Sequence, residues 1–144
     1  TVPIGWRDFE KSIRDAVSVD LADAEKMKKK IGLSKKEMGG AVFRALEPLV
    51  SIIIDEAEKN INFFERYPHH AHEKERAVQK IVLCGGDSYL FGLVEMIAER
   101  TKLPVELGKS LRFFSNESNH LLSEHDSLSF TTALGLALRG IKSV

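Results

Sequence analysis

Apolar residues recur at helical spacing over most of the chain and at strand spacing in only a few short places. Phe9, Ile13 and Val17 stand four apart behind Asp8, which predicts a helix capped by Asp8. Ala24, Met27 and Ile31 form a second stripe behind Asp20, which is placed to cap it, with Gly32 placed to stop it. A polar stretch from Ser34 and the pair Gly39-Gly40 separate these from the longest helical pattern. There Val42, Leu46, Leu49, Ile53, Ala57, Ile61 and Phe64 recur at three- and four-residue steps. Pro48 interrupts it, which predicts either a new helix with proline in its first turn or one kinked helix. Pro68 ends the segment, and His69 to Glu75 reads as a polar loop.

Strand patterns are few. Val2-Pro3-Ile4, closed by Gly5, reads as the end of a strand, with Pro3 marking an edge. Lys80 to Cys84 is the clearest buried strand, with Cys84 expected inside, and Gly85-Gly86-Asp87-Ser88 follows at once. A helix carrying Leu90, Leu93, Val94 and Ile97 comes next, then a short strand over Pro104-Val105-Glu106-Leu107. A loop over 111–126 leads to a last helix, capped by Ser127 or Ser129, with Phe130, Ala133, Leu134, Ala137 and Leu138 on it. Strand, turn, helix and strand over 80–107 make half of a parallel α/β unit. Two strands alone are marginal in water. The pattern therefore predicts neighbouring strands outside these residues, and a chain opening on Thr1 is expected to begin inside a longer protein.

Composition narrows the class of function. The 144 residues suffice for one sizeable core. Lys and Arg number 21, as do Asp and Glu, so no broad basic field is present and nucleic acid is not an expected partner. One cysteine excludes an internal disulfide framework and a Cys-rich zinc site. The longest nearly apolar run, Leu49 to Ile54, falls far short of the ~18 residues of a membrane span. With no signal peptide at the start, an intracellular globular piece is expected.

The sharpest chemical feature is the strand that runs into Gly85 and Gly86 and then a helix start. Glycines admit a ligand close to the backbone, and a helix N-terminus offers free N–H groups, which suits a nucleotide. A tight strand-to-helix turn has the same pattern. On the second helix, Glu25 and Lys28 stand three apart and point to one side. A carboxylate there can accept from ribose hydroxyls and a lysine stem can lie against a base. A solvated ion pair is the plainer alternative. His69, His70 and His72 invite a metal, but no Cys or carboxylate at ligand spacing closes a site, so a solvated linker is expected. Cys84 has no visible base and reads as packing. Lys28-Lys29-Lys30 reads as a solvated face. Trp6, Phe113 and Phe114 read as core, and no acid–base pair emerges.

Four blocks in order carry a resemblance: Thr1-Val2-Pro3-Ile4-Gly5, Ala24-Glu25-Lys26-Met27-Lys28, Ile81 to Gly92, and Thr132 to Gly140 with its Ala133-Leu134-Gly135-Leu136-Ala137 core. Together they resemble the C-terminal part of the PilM family of type IV pilus assembly, in the actin-like ATPase superfamily. The resemblance implies an α/β fold: the second lobe of an actin-like (ribonuclease H-like) ATPase, helix-rich and with an incomplete sheet. It implies a small helical subdomain over 5–45 and an α/β core over 46–144 with 1–4. Glu25 and Lys28 would face ribose and adenine, and Gly85, Gly86, Asp87 and Ser88 would lie along the adenosine. Many relatives carry glycine where this chain has Asp87.

The implied cofactor is ATP with Mg2+ in the full-length protein, with weak or no binding by these 144 residues, because the phosphate-holding hairpins would lie upstream. The implied role is a cytoplasmic scaffold for pilus assembly and twitching motility, without efficient turnover. Its partners would be a PilN-type inner-membrane protein, bound through the first lobe, and other assembly proteins. It would sit at the inner membrane through those partners. Two alternatives stay open: an FtsA-like division protein that polymerises, against which the lack of an amphipathic tail counts, and a sugar-kinase-type member of the superfamily.

Overall fold

The computed structural model describes residues 4–66, 77–109 and 123–141. Val2 and Pro3, the histidine-bearing linker, Phe113, Phe114 and most of the expected 111–126 loop lie outside them. The described elements are α1 (Trp6–Val17), α2 (Leu21–Lys30), α3 (Ala41–Arg66), β1 (Ile81–Leu83), α4 (Leu93–Thr101), β2 (Val105–Leu107), α5 (Glu124–Ser129) and α6 (Thr131–Ile141). Short 3-10 turns occupy Glu37–Gly40 and Gly86–Tyr89. β1 and β2 pair in parallel: the Ile81 N–H donates to the Pro104 carbonyl at 2.9 Å and the Gly108 N–H to the Leu83 carbonyl at 2.8 Å.

Several boundaries differ from expectation. α1 starts two residues before Asp8, with Gly5 as its cap; Asp8 reaches back from the third helical position to accept from the Gly5 N–H at 2.8 Å. α2 is capped as expected, Asp20 Oδ1 accepting from the Asp23 N–H at 2.7 Å. α3 continues through Pro48 for 26 residues, about 39 Å at the helical rise. The final segment is two helices, and Ser123, not Ser127 or Ser129, caps the first. Cys84 is exposed, and Val82 in the middle of β1 is 46% exposed, so this strand is not buried among the described residues.

The chain divides into two compact units. The first takes in Thr1–Ile81 and Leu90–Val105. Its core is built from Phe9 and Ile13 of α1, Ala24 of α2, Val42, Leu46, Val50 and Ile54 of α3 and Ile97 of α4, all buried. Ser12 Oγ donates to the Ala45 carbonyl at 2.7 Å, tying α1 to α3. Arg100 holds Asp55 at 2.7 Å, tying α4 to α3. The α2 exit meets the turn before α4: the Leu33 N–H donates to the Phe91 carbonyl at 2.8 Å.

The second unit takes in Val82–Tyr89 and Glu106–Val144. Leu128 of α5 is its fully buried side chain among the described residues, and Ser88 and Ser127 are also buried. A Cβ added at Gly108 would stand 2.6 Å from Cys84 Sγ and 3.3 Å from both Leu128 Cδ2 and the Leu83 carbonyl oxygen. Glycine is therefore the residue that lets β2 end beside β1. Most of α6 is exposed, Leu136 at 64%.

Candidate functional site

The six residues singled out from the sequence fall on two elements. Glu25 and Lys28 share α2, in the first unit. Gly85, Gly86, Asp87 and Ser88 share the turn after β1, in the second. Each set has its own geometry.

The turn is shaped by its two glycines and its serine. Gly85 takes φ +102, outside the range of L side chains, and a Cβ built there would meet nothing among the described residues within 4 Å. The backbone at that point thus borders open space, as a flat group approaching it would require. The Gly85 N–H is committed to the Leu128 carbonyl at 3.0 Å. The Gly85 carbonyl accepts from Ser88 Oγ at 2.6 Å and from the Ser88 N–H at 3.2 Å. Ser88 is therefore a buried brace of the turn, with its hydroxyl turned onto the backbone. A Cβ at Gly86 would approach Ser129 Oγ at 3.2 Å, so α5 packs closely on this residue. The turn brings a carboxylate, Asp87, and no Lys or Arg between 85 and 89. Its chemistry fits a neutral ring or sugar better than a phosphate.

On α2, Glu25 is exposed and its Oε1 stands 2.6 Å from Lys29 Nζ, one helical turn on. The hydrogen bond from Lys29, and next the Lys29 charge, hold its carboxyl below the usual carboxylate range. It is an ionised acceptor on an open face. Lys28 points elsewhere: it is buried, and Nζ is 3.1 Å from Glu10 Oε1 on α1. Glu25 and Lys28 thus make ion pairs with Lys29 and Glu10 respectively, and the Lys28 charge adds a smaller pull on the Glu25 carboxyl.

Glu10 was not singled out by the sequence reading, although a signal exists. Glu10, Ile13 and Val17 recur at three and four, so Glu10 lies on the apolar stripe of its own helix. Lys28 likewise follows Ala24 by four on the buried stripe of α2. Two opposite charges on facing apolar stripes mark a buried pair. Among the described residues no three His, Cys, Asp or Glu gather to hold a metal; His69, His70 and His72 lie outside them. No described helix is long and apolar enough to cross a membrane.

Comparison with known proteins adds two matches. A solved structure of the PilM–PilN type IV pilus biogenesis complex aligns at TM-score 0.62 and 24% identity, over 94% of this chain and 36% of that chain. The helix-rich fold with its small parallel sheet is thus that of a PilM-type chain over about a third of the latter's length. No curated protein sequence matches. The family model for type IV pilus assembly protein PilM matches residues 3–141. With nearly every residue inside that match, the chain belongs to the PilM family of type IV pilus assembly proteins.

Proposed function

We propose that these residues are the C-terminal part of a cytoplasmic, ATP-binding scaffold for type IV pilus assembly. The observation that carries the reading is the family match over residues 3–141. The left-handed Gly85 beside open space and the ionised Glu25 on an exposed face support the nucleotide part of it. The fold would be the second lobe of an actin-like protein, with a small helical subdomain over 5–45 and an α/β core over 46–144 with 1–4. Glu25 would face the ribose, and Lys28, expected from the sequence to face the adenine, would instead hold α2 in place through Glu10. Gly85 and Gly86 would lie along the nucleoside, with Asp87 and Ser88 closing the turn. Phosphates and Mg2+ would be held by hairpins outside these residues.

Bound nucleotide supplies binding energy here, not a reaction to be turned over. The scaffold would change its affinity for partners as its lobes settle around the nucleotide. The solved neighbour is a complex with PilN. By that likeness we assign a PilN-type inner-membrane partner, reached through the first lobe, and a position at the inner membrane that depends on partners.

Isothermal titration tests the proposal. The 144-residue chain should bind Mg-ATP weakly or not at all, and the same chain joined to its upstream lobe should bind it and then take a PilN-type tail peptide with altered affinity. Micromolar ATP binding by the 144 residues alone, or a tail affinity indifferent to ATP, would overturn it.

A further inference from the structure

Glu10 and Lys28 are an unusual pair to find between two short helices. Each side chain is 9% exposed, whereas Lys29–Glu25, Lys26–Asp23 and Arg100–Asp55 are ion pairs at the surface. Both charges lose their hydration on burial, and an apolar pair of similar volume is often as stable or more so. Stability alone does not call for ions here, since Phe9 and Ile13 of α1 and Ala24 of α2 are already buried apolar residues. An ion pair adds direction: it fixes the Lys28 ammonium at one point on α1, where apolar side chains would slide. Glu25 stands one turn back from Lys28 on the same helix, with its carboxylate exposed. Turning α2 about its axis would move the two together.

We propose that Glu10 is a positioning residue for the ribose-facing side of α2: by holding Lys28 it sets the rotation of α2 on α1, and thereby the place of the Glu25 carboxylate. This rests on the nucleotide reading given above. Lys29 fixes the rotamer of Glu25, and Glu10 fixes the helix that carries it.

The test compares ATP with 2′-deoxy-ATP, in the chain joined to its upstream lobe. Loss of a hydroxyl that donates to a carboxylate weakens binding about tenfold. Glu25→Ala should abolish that preference. Glu10→Gln should reduce it severalfold while circular dichroism still reports a folded protein. The double variant Glu10→Met with Lys28→Met, which restores an apolar joint without the fixed point, should do the same and covers the case in which Glu10→Gln does not fold. A wild-type preference retained in either folded variant, whatever the loss of thermal stability, makes the pair merely structural and overturns the proposal. Wild-type protein that binds neither nucleotide, or both equally, overturns the site reading itself, a result distinct from the first.

Discussion

Two glycines with nearly the same backbone angle separate strain from crowding. Gly32 has φ +50 and Gly39 φ +60. A Cβ at Gly32 would stand 2.7 Å from the Phe91 carbonyl oxygen, while one at Gly39 would meet nothing within 4 Å. Gly39→Ala should cost only the left-handed penalty, roughly 1–2 kcal/mol. Gly32→Ala adds a clash with backbone that also accepts the Leu33 hydrogen bond, and should cost roughly 2–5 kcal/mol. Urea unfolding of the two variants checks the difference; equal losses would mean that the α2 exit yields freely. Gly32 was legible as a helix stop, but its tight approach to Phe91 was not, since 59 positions separate them in the sequence.

Glu25 gives a pH prediction. Its carboxyl is held down in the folded chain by Lys29, so its contribution to stability is present above the ordinary carboxylate value. That contribution fades as pH falls through the lowered folded value. A carboxyl-carbon NMR titration should place its midpoint below that of a free glutamate, and Lys29→Ala should return it toward the ordinary value. An unchanged midpoint in the variant would remove Lys29 as the cause.

At the scale of elements, α3 shows why a local rule is overridden. Pro48 brings no N–H for the Arg44 carbonyl, and a proline inside a helix costs about 3 kcal/mol. The helix nevertheless continues, because Val42 and Leu46 before it and Val50 and Ile54 after it are all fully buried on one face. Breaking the helix would lift one half of that face off the core. Pro48 itself is exposed, so Pro48→Ala loses no packing and restores a donor. It should raise stability by roughly 1–3 kcal/mol in urea unfolding. No gain would mean that the proline is accommodated without cost. Helix identity was thus legible from spacing, but which break would prevail depended on burial from other helices. Both strands fall where their pattern places them, but the burial of β1 was not legible: Ile81-Val82-Leu83 reads as buried because it is apolar, yet burial of a strand is a property of its neighbours, and among the described residues Val82 stays 46% exposed.

For the whole molecule, the distribution of burial matters more than the number of elements. Among the described residues, Ile13, Val42, Leu46, Val50 and Ile54 are fully buried in the first unit and Leu128 in the second. In the second, Phe130 and Leu136 are more than half exposed. The half-unit of parallel sheet expected from residues 80–107 is present, but as two three-residue strands, too short to be stable by themselves. Local opening follows the number of buried apolar contacts, so the two units should not open together. Native-state hydrogen exchange on the 144-residue chain should show the amides of α1 and α3 opening only with global unfolding. Those of β1, the Gly85 turn, α5 and α6 should open at lower free energy and at lower urea. A single opening free energy across both sets would instead mean that the second unit draws its stability from the first. On the proposed reading the weaker set contains the Gly85 turn that would lie along the nucleoside. Nucleotide added to the chain joined to its upstream lobe should then slow exchange at the Gly85 turn more than in α1 and α3.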